Sequence, residues 1–226
     1  INSNYEEWHK ANPNSTYLEF KYSPKKMSAS GALYDLDKLK NISKNIISKM
    51  TKEELMQESL TWANSYSEEL KKLIEKDKEY YMDILNIERE QKKPRKDIAK
   101  YDEIMDNIWY MYDNLYEEKE KNYEWQKITD PKEIQTITNT YMDKYFTISD
   151  KESWFNGVKE LSDSLGYASN MKDYKEHPEN YKGSVADVST VLRVALTSKS
   201  TTPDLYEIMS LLGKERIKKR YINLSK

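Results

Sequence analysis

The stretch Tyr-Asp-Glu-Ile-Met-Asp-Asn-Ile-Trp-Tyr-Met-Tyr-Asp-Asn-Leu-Tyr at 101–116 decides the fold class. Tyr101, Ile104, Met105, Ile108, Trp109, Tyr112, Leu115 and Tyr116 recur at intervals of three and four, which stacks them on one face of a helix. The spacing predicts the longest helix of the chain here. The purely charged run Glu117–Lys121 follows as its solvated end.

The same period extends upstream. Leu39, Ile42, Ile46, Ile47 and Met50 share a helical face, and Thr51 with Glu54 makes a capping box that opens a helix carrying Leu55, Met56 and Leu60. Further helices are expected over 67–76 and 78–90, with Pro94 marking the break after them. Residues 1–35 hold Pro13, Pro24 and Gly31 with no sustained period, and read as irregular. Downstream, Asp130-Pro131 starts a helix with Ile134, Ile137, Tyr141 and Tyr145 inward. Ser149 and Glu152 form a second capping box ahead of Trp154, Phe155, Val158, Leu161 and Leu165, and Gly166 suits that helix's C-terminus. Residues 167–183 read as a loop. Val185, Val188, Leu192 and Leu196 mark another helix. Thr202-Pro203 reads as a helix start, a capping hydroxyl followed by a proline where no N–H is needed. That helix runs to Leu212, Gly213 closes it, and a short basic helix carries Lys214, Arg216, Lys218, Lys219 and Arg220. No internal repeat and no strand stands out. The fold class expected is all-α.

Composition agrees. The 226 residues include only 5 glycines and 6 prolines, and 34% are charged, whereas β-rich folds need more turn residues. Nineteen tyrosines and 5 tryptophans supply much of the apolar content, rings that can be buried with their polar ends satisfied. There is no cysteine, which removes disulfides and thiolate metal sites and suits a cytoplasmic protein. No apolar run reaches the ~20 residues of a membrane span. The chain opens on Ile1 with neither an initiator Met nor a visible leader, and reads as a fragment or processed chain.

Catalytic constellations are missing from the pattern. His9 and His177 are far apart without metal-ligand spacing, no nucleophile–base set assembles, and no glycine-rich phosphate loop exists. Binding is better represented. The net charge is −2, so any nucleic-acid contact must be local. Lys92, Lys93, Arg95 and Lys96 flank Pro94 at a helix break, and Lys214 to Arg220 crowd the last helix; either is a phosphate-binding cluster or a solvated face. Between Arg193 and Leu205 a helix end, a short loop and a new helix N-terminus would bring together an arginine, hydroxyls and free N–H groups, suited to an anion or a splayed base. An ordinary capped helix-loop-helix fits equally well.

At these residues the chain resembles the bacterial-type glutamyl-tRNA synthetases, class I aminoacyl-tRNA synthetases, from just after their catalytic loop to the C-terminus. The resemblance rests on Leu192-Arg193-Val194-Ala195-Leu196-Thr197, Thr202-Pro203-Asp204-Leu205-Tyr206-Glu207-Ile208, Leu212-Gly213-Lys214-Glu215-Arg216 and Arg220. Asp35-Leu36-Asp37-Lys38-Leu39, Ile87-Glu88-Arg89-Glu90 and Pro94-Arg95-Lys96-Asp97 agree with it. Residues 1–34 and 117–150 match least well. Lys26-Met27-Ser28-Ala29-Ser30 looks like the ATP-binding loop of class I synthetases but reads as a structural linker.

The resemblance implies an anticodon-binding region: a linker over 1–35, then two helical subdomains over 36–127 and 128–226 that cage the anticodon loop. It implies that Arg95 reads the third anticodon base, favouring glutamate tRNA over glutamine tRNA. Arg193 and Leu205 would hold the first base, and Thr202 and Pro203 the second. Lys92, Lys93, Lys96, Lys214, Arg216 and Arg220 are expected to contact phosphates. The parent enzyme would join glutamate to tRNA using ATP and Mg, with no catalytic residue, cofactor or metal in the present chain, which is expected to be a cytoplasmic monomer without a membrane partner. The alternative is a helical protein-interaction scaffold derived from the same ancestry. One departure stands out: Ser198 occupies a position where the family has glycine, which strains the turn if its φ is positive.

Overall fold

A computed structural model describes residues 3–21, 23, 35–119 and 121–224; the segment Lys26–Ser30 lies outside them. The chain divides into two compact units, Ile1–Asn41 and Ile42–Lys226.

In the first unit the irregular reading is overturned in part. Helix α1 (Ser3–Ala11) and a 3-10 turn at Tyr17–Glu19 are present. Tyr5, Trp8 and His9 fall three and four apart, so their rings meet on one side of α1. Tyr5 stacks on His9 with ring centroids 5.7 Å apart, and Phe20 meets Tyr5 edge-on at 5.2 Å. This is a local aromatic cluster without an aliphatic run, which apolar periodicity does not register. Helix α2 (Leu36–Ile47) spans the boundary between the units. Leu39, Ile42 and Ile46, read as an inward face, are exposed, whereas Ile47 is buried.

The second unit begins as expected. Thr51 caps α3 (Lys52–Tyr66): its hydroxyl accepts from the Glu54 N–H at 3.1 Å while the Glu54 carboxylate accepts from the Thr51 N–H at 2.9 Å. Ser67 caps α4 (Glu68–Lys76) and Asp77 caps α5 (Lys78–Asn86). Helix α5 stops four residues before the expected end, because Glu88 adopts the left-handed region at φ 58°.

The expected long helix over 101–116 is the largest correction. The segment is a 3-10 turn (Tyr101–Glu103), α6 (Ile104–Ile108), a second 3-10 turn (Trp109–Met111) and α7 (Asp113–Glu118), with Tyr112 extended between the last two. Carbonyls that a continuous helix would use internally are taken by distant side chains. The Met111 carbonyl accepts from the Tyr80 hydroxyl at 2.9 Å, and the Tyr110 carbonyl accepts from Arg220 at 2.7 Å. Ile108 to Tyr112 are all buried, so tertiary packing overrides the helical period.

Helix α8 (Pro131–Thr140) starts as read, capped by Asp130, and runs into a π-turn at Tyr141–Tyr145. Helix α9 (Lys151–Ser164) ends near Gly166, whose φ is 83°. Its cap is Asp150, which accepts from the Ser153 N–H at 2.8 Å; the expected Ser149 lies one residue outside and hydrogen-bonds to Asp150 and Thr147 instead. The expected loop 167–183 contains a short helix, α10 (Met171–Glu176), and a 3-10 turn. Helix α11 (Val185–Thr197) ends with Ser198 in the left-handed conformation at φ 61°, the residue identified from sequence as a departure. Helix α12 (Leu205–Asn223) is kinked at Gly213, φ 72°. Its cap is Asp204, not Thr202: the Asp204 carboxylate accepts from the Glu207 N–H at 3.1 Å. Among the described residues no strand is present, only one isolated bridge between Ala168 and Ser184.

Buried side chains from Ile47 to Tyr221 form one cluster, with tyrosines in its middle. Three of their hydroxyls are satisfied from within: Tyr81 donates to Ser59 at 2.8 Å, Tyr116 to the Ala195 carbonyl at 3.2 Å and Tyr221 to the Leu192 carbonyl at 3.2 Å. Burial pushes the phenol pKa of all three upward, so they stay neutral donors.

The placement of the α9 cap is testable. Asp150→Ala is expected to lower the urea midpoint of unfolding clearly and Ser149→Ala to leave it almost unchanged, the difference between a cap and a residue outside it. Urea denaturation of both variants would show the reverse ranking if Ser149 were the cap.

Candidate nucleic-acid interface

The loop between α11 and α12 is organised by one side chain. Arg193 lies in the last turns of α11 and reaches forward over the loop. Its Nη1 donates to the Pro203 carbonyl at 2.7 Å, to the Thr202 carbonyl at 3.3 Å and to the Thr202 hydroxyl. The Thr202 hydroxyl in turn donates to the Pro203 carbonyl at 2.9 Å. Burial pulls the Arg193 pKa down, and the nearby Asp204 carboxylate offsets it; an arginine starts so high that it stays charged. Only Nη1 is engaged in these contacts, so the guanidinium anchors the loop with one nitrogen.

Beyond Thr202 the loop faces a groove of about 480 Å³. It is lined by Phe155 of α9, Met171 of α10, Ala186 and Thr190 of α11, and Arg193 with Thr202. Phe155 and Met171 are 38% and 41% exposed, so an aromatic ring and a thioether share the groove with an arginine and a hydroxyl. That combination suits a flat, polar-edged ligand: a π-face to stack on, donors at its rim. Leu205 behaves differently. It opens α12, but its side chain is only 2% exposed and belongs to the core, so at this position the chain can offer a ligand only backbone.

Arg95 sits in the turn after α5. Its backbone N–H donates to the Glu88 carbonyl at 2.9 Å. Its side chain is 12% exposed and its Nε lies 3.0 Å from Asp97 Oδ2, close enough for an ion pair. Yet Nε and Nη1 are buried without a hydrogen-bond partner, and so is Asp97 Oδ1. Native structures leave few such groups without a hydrogen bond; the guanidinium is held in the turn by Asp97 and, through Nη2, by the Leu85 carbonyl at 3.5 Å. The turn of Arg95 and the loop clasped by Arg193 meet at Glu88, whose carbonyl accepts the Arg95 N–H and whose carboxylate accepts the Asp204 N–H at 3.0 Å, although 98 positions separate the two arginines in sequence.

Of the expected phosphate contacts, Lys92, Lys93, Lys96 and Lys214 are exposed. Arg216 and Arg220 are corrections. Arg220 is 4% exposed; it donates to the Tyr110 and Leu196 carbonyls at 2.7 and 2.9 Å, pairs with Asp113 at 2.9 Å and lies 3.9 Å over the Tyr116 ring. Arg216 donates to the Tyr80 hydroxyl at 2.9 Å and to the Leu211, Leu212 and Met111 carbonyls. Both guanidinia are engaged in holding α12 to the rest of the unit, a structural role that the expected phosphate contact did not include. Phe155, which the sequence places with the apolar residues of its helix, and Met171 are not among the expected site residues. Trp154, Val158, Leu161 and Leu165 fall on one stripe of α9, and Phe155 is a full 100° off it. That offset was a usable signal. Met171 carried none.

Among the described residues no group of three or more His, Asp or Glu could hold a metal ion, and no helix is long and apolar enough to cross a membrane.

An all-helical scaffold with an arginine-rimmed groove and a second arginine, ion-paired with Asp97, is the build of a helical binding module. A family model described as the anticodon binding domain matches residues 54–223, and the chain belongs to that family. It is 40% identical over 222 residues to a glutamate–tRNA ligase from Clostridium perfringens, a match that covers 98% of this chain and 40% of that protein. Similar matches are a glutamate–tRNA ligase from Acetivibrio thermocellus, 39% identical over 97% of this chain and 40% of the relative, and one from Sorangium cellulosum, 35% identical over 97% and 38%. The chain thus spans about 40% of the length of these relatives.

Replacing Arg220 with methionine keeps its bulk but strands two carbonyls and Asp113. Arg220→Met is expected to destabilise the chain by about 3 kcal/mol, against less than about 0.5 kcal/mol for Lys214→Met. Equal, small losses in thermal unfolding would return Arg220 to the surface.

Proposed function

We propose that this chain reads the anticodon loop of a tRNA, with glutamate tRNA as its partner, on behalf of an enzyme that ligates glutamate to tRNA with ATP and Mg. The observation that carries this reading is that the loop Arg193 fixes beside a groove and the turn that carries Arg95 are brought together, in a member of the anticodon binding domain family. The chain's share would be recognition, and the chemistry would lie in the rest of the enzyme. Two helical subdomains, 36–127 and 128–226, would each supply one arginine, with Arg220 among the ties between them. In this reading Arg95 meets the third base, Arg193 and the Leu205 backbone the first, and Thr202 and Pro203 the second. Phe155 and Met171 add a stacking wall to the groove. Lys92, Lys93, Lys96 and Lys214 set the salt dependence through phosphates. The chain would act as a cytoplasmic monomer.

The test is binding of the chain to the anticodon stem-loop of glutamate tRNA and to a stem-loop changed only at the third base, at two salt concentrations. The native loop is expected to bind about tenfold or more tightly, and Arg95→Gln to erase most of that difference. Both affinities should fall with salt while their ratio holds. Equal binding of the two loops by the unaltered chain would sink the reading of Arg95; no binding at low salt would favour a protein-interaction scaffold.

A further inference from the structure

Glu88 joins the two arginine sites physically. It sits in the turn after α5, and at φ 58° it is one of two non-glycine residues with positive φ among those described. Its carbonyl accepts the Arg95 N–H at 2.9 Å, which fixes the start of the segment carrying that arginine. Its carboxylate Oε2 accepts the Asp204 N–H at 3.0 Å, 116 positions away. Asp204 is the residue that caps α12 and immediately follows the Thr202-Pro203 pair clasped by Arg193. Lys151 of α9 holds the Asp204 carboxylate at 2.7 Å. The Glu88 backbone N–H also reaches Glu207, in the first turn of α12, and offsets part of the rise in pKa that burial and the Asp204 charge impose on that carboxyl. One residue therefore touches Arg95 on one side and the 204–207 turn on the other. Arg193 holds the loop 202–203 from α11, and Glu88 holds its next residue from the turn after α5.

We propose that Glu88 is a positioning residue that keeps the Arg95 turn and the Arg193 loop in register, so that discrimination at the first and third anticodon bases depends on it together. This rests on the anticodon-reading function proposed above. Its chemistry asks for an acceptor on a side chain long enough to reach Asp204 from a left-handed turn. A charged acceptor on a partly buried backbone N–H is among the stronger hydrogen bonds a fold can use. A left-handed residue also costs free energy that glycine would avoid, so a glutamate here needs a reason, and the bond to Asp204 is one.

The positive φ supplies a clean experiment. Glu88→Gly keeps the turn, which glycine favours, and cuts only the carboxylate tie; Glu88→Gln keeps an acceptor oxygen at the same reach. In the free chain, amide hydrogen exchange at Asp204 and through Glu207 is expected to rise about tenfold in Glu88→Gly and to stay near the unaltered value in Glu88→Gln. In binding to anticodon stem-loops changed singly at the first or the third base, Glu88→Gly is expected to lose discrimination about fivefold or more at both positions, whereas Arg95→Gln loses it at the third alone. Glu88→Gln should restore both. The proposal is overturned if Glu88→Gly leaves the exchange unchanged, if it keeps both discrimination ratios, or if it loses only the third-base ratio. A chain that discriminates at neither base before any substitution defeats the anticodon reading instead, and the exchange measurement still decides whether Glu88 ties the two segments.

Discussion

The buried guanidinium of Arg220 is the interaction on which the rest of the structure depends. It reaches from the distal half of α12 to the Tyr110 carbonyl, the Leu196 carbonyl and Asp113, and stacks over Tyr116. Those partners belong to the broken segment 104–118 and to the last turn of α11. One charge thus fixes the C-terminal helix, the helix that carries Arg193 and the turn that keeps Tyr110 in the core. Moving a guanidinium out of water is costly unless its donors are taken up, and here two carbonyls and a carboxylate take them up. The same contact explains why 101–116 is not one helix: the Tyr110 and Met111 carbonyls serve Arg220, Arg216 and Tyr80.

With that frame in place the groove beside Arg193 follows from local rules. Helix α11 ends at Ser198, in a conformation that lets the chain turn back at once. The return stretch is clasped by Arg193 at Thr202 and Pro203, and α12 then begins on Asp204. The chain's near-neutral charge does not conflict with the proposed role at RNA, because such a contact can be local, and the exposed lysines at 92, 93, 96 and 214 are the kind of charge that meets phosphates.

The sequence made the helical class legible, along with the caps at Thr51 and Asp130, the breaks at Gly166 and Gly213, and the pairing of Arg193 with Thr202. These are features that one or two side chains decide within a few residues of themselves. It misread what distance decides. Ser149 and Thr202 looked like caps until Asp150 and Asp204, each with a stronger acceptor, took the positions next along. Arg216 and Arg220 looked like surface charge, because nothing in their own helix shows that Tyr110, Met111 and Leu196 would offer carbonyls from more than twenty residues away. Leu39, Ile42 and Ile46 carried the period of a buried face and are exposed. Glu88 was visible only as a letter in a family match; its left-handed backbone and its bond to Asp204 are tertiary facts.

The most direct measurement is hydrogen exchange of the chain with and without the anticodon stem-loop of glutamate tRNA, at low salt. If the two arginine segments receive the bases, slowing is expected in two windows, 88–97 and 193–207, together with the start of α9 around Phe155, while α3 and α4 keep their free-state rates. Slowing confined to α3 and α4, or to the region around Lys214 alone, would contradict base reading at Arg95 and Arg193 and leave only non-specific contact with the RNA backbone.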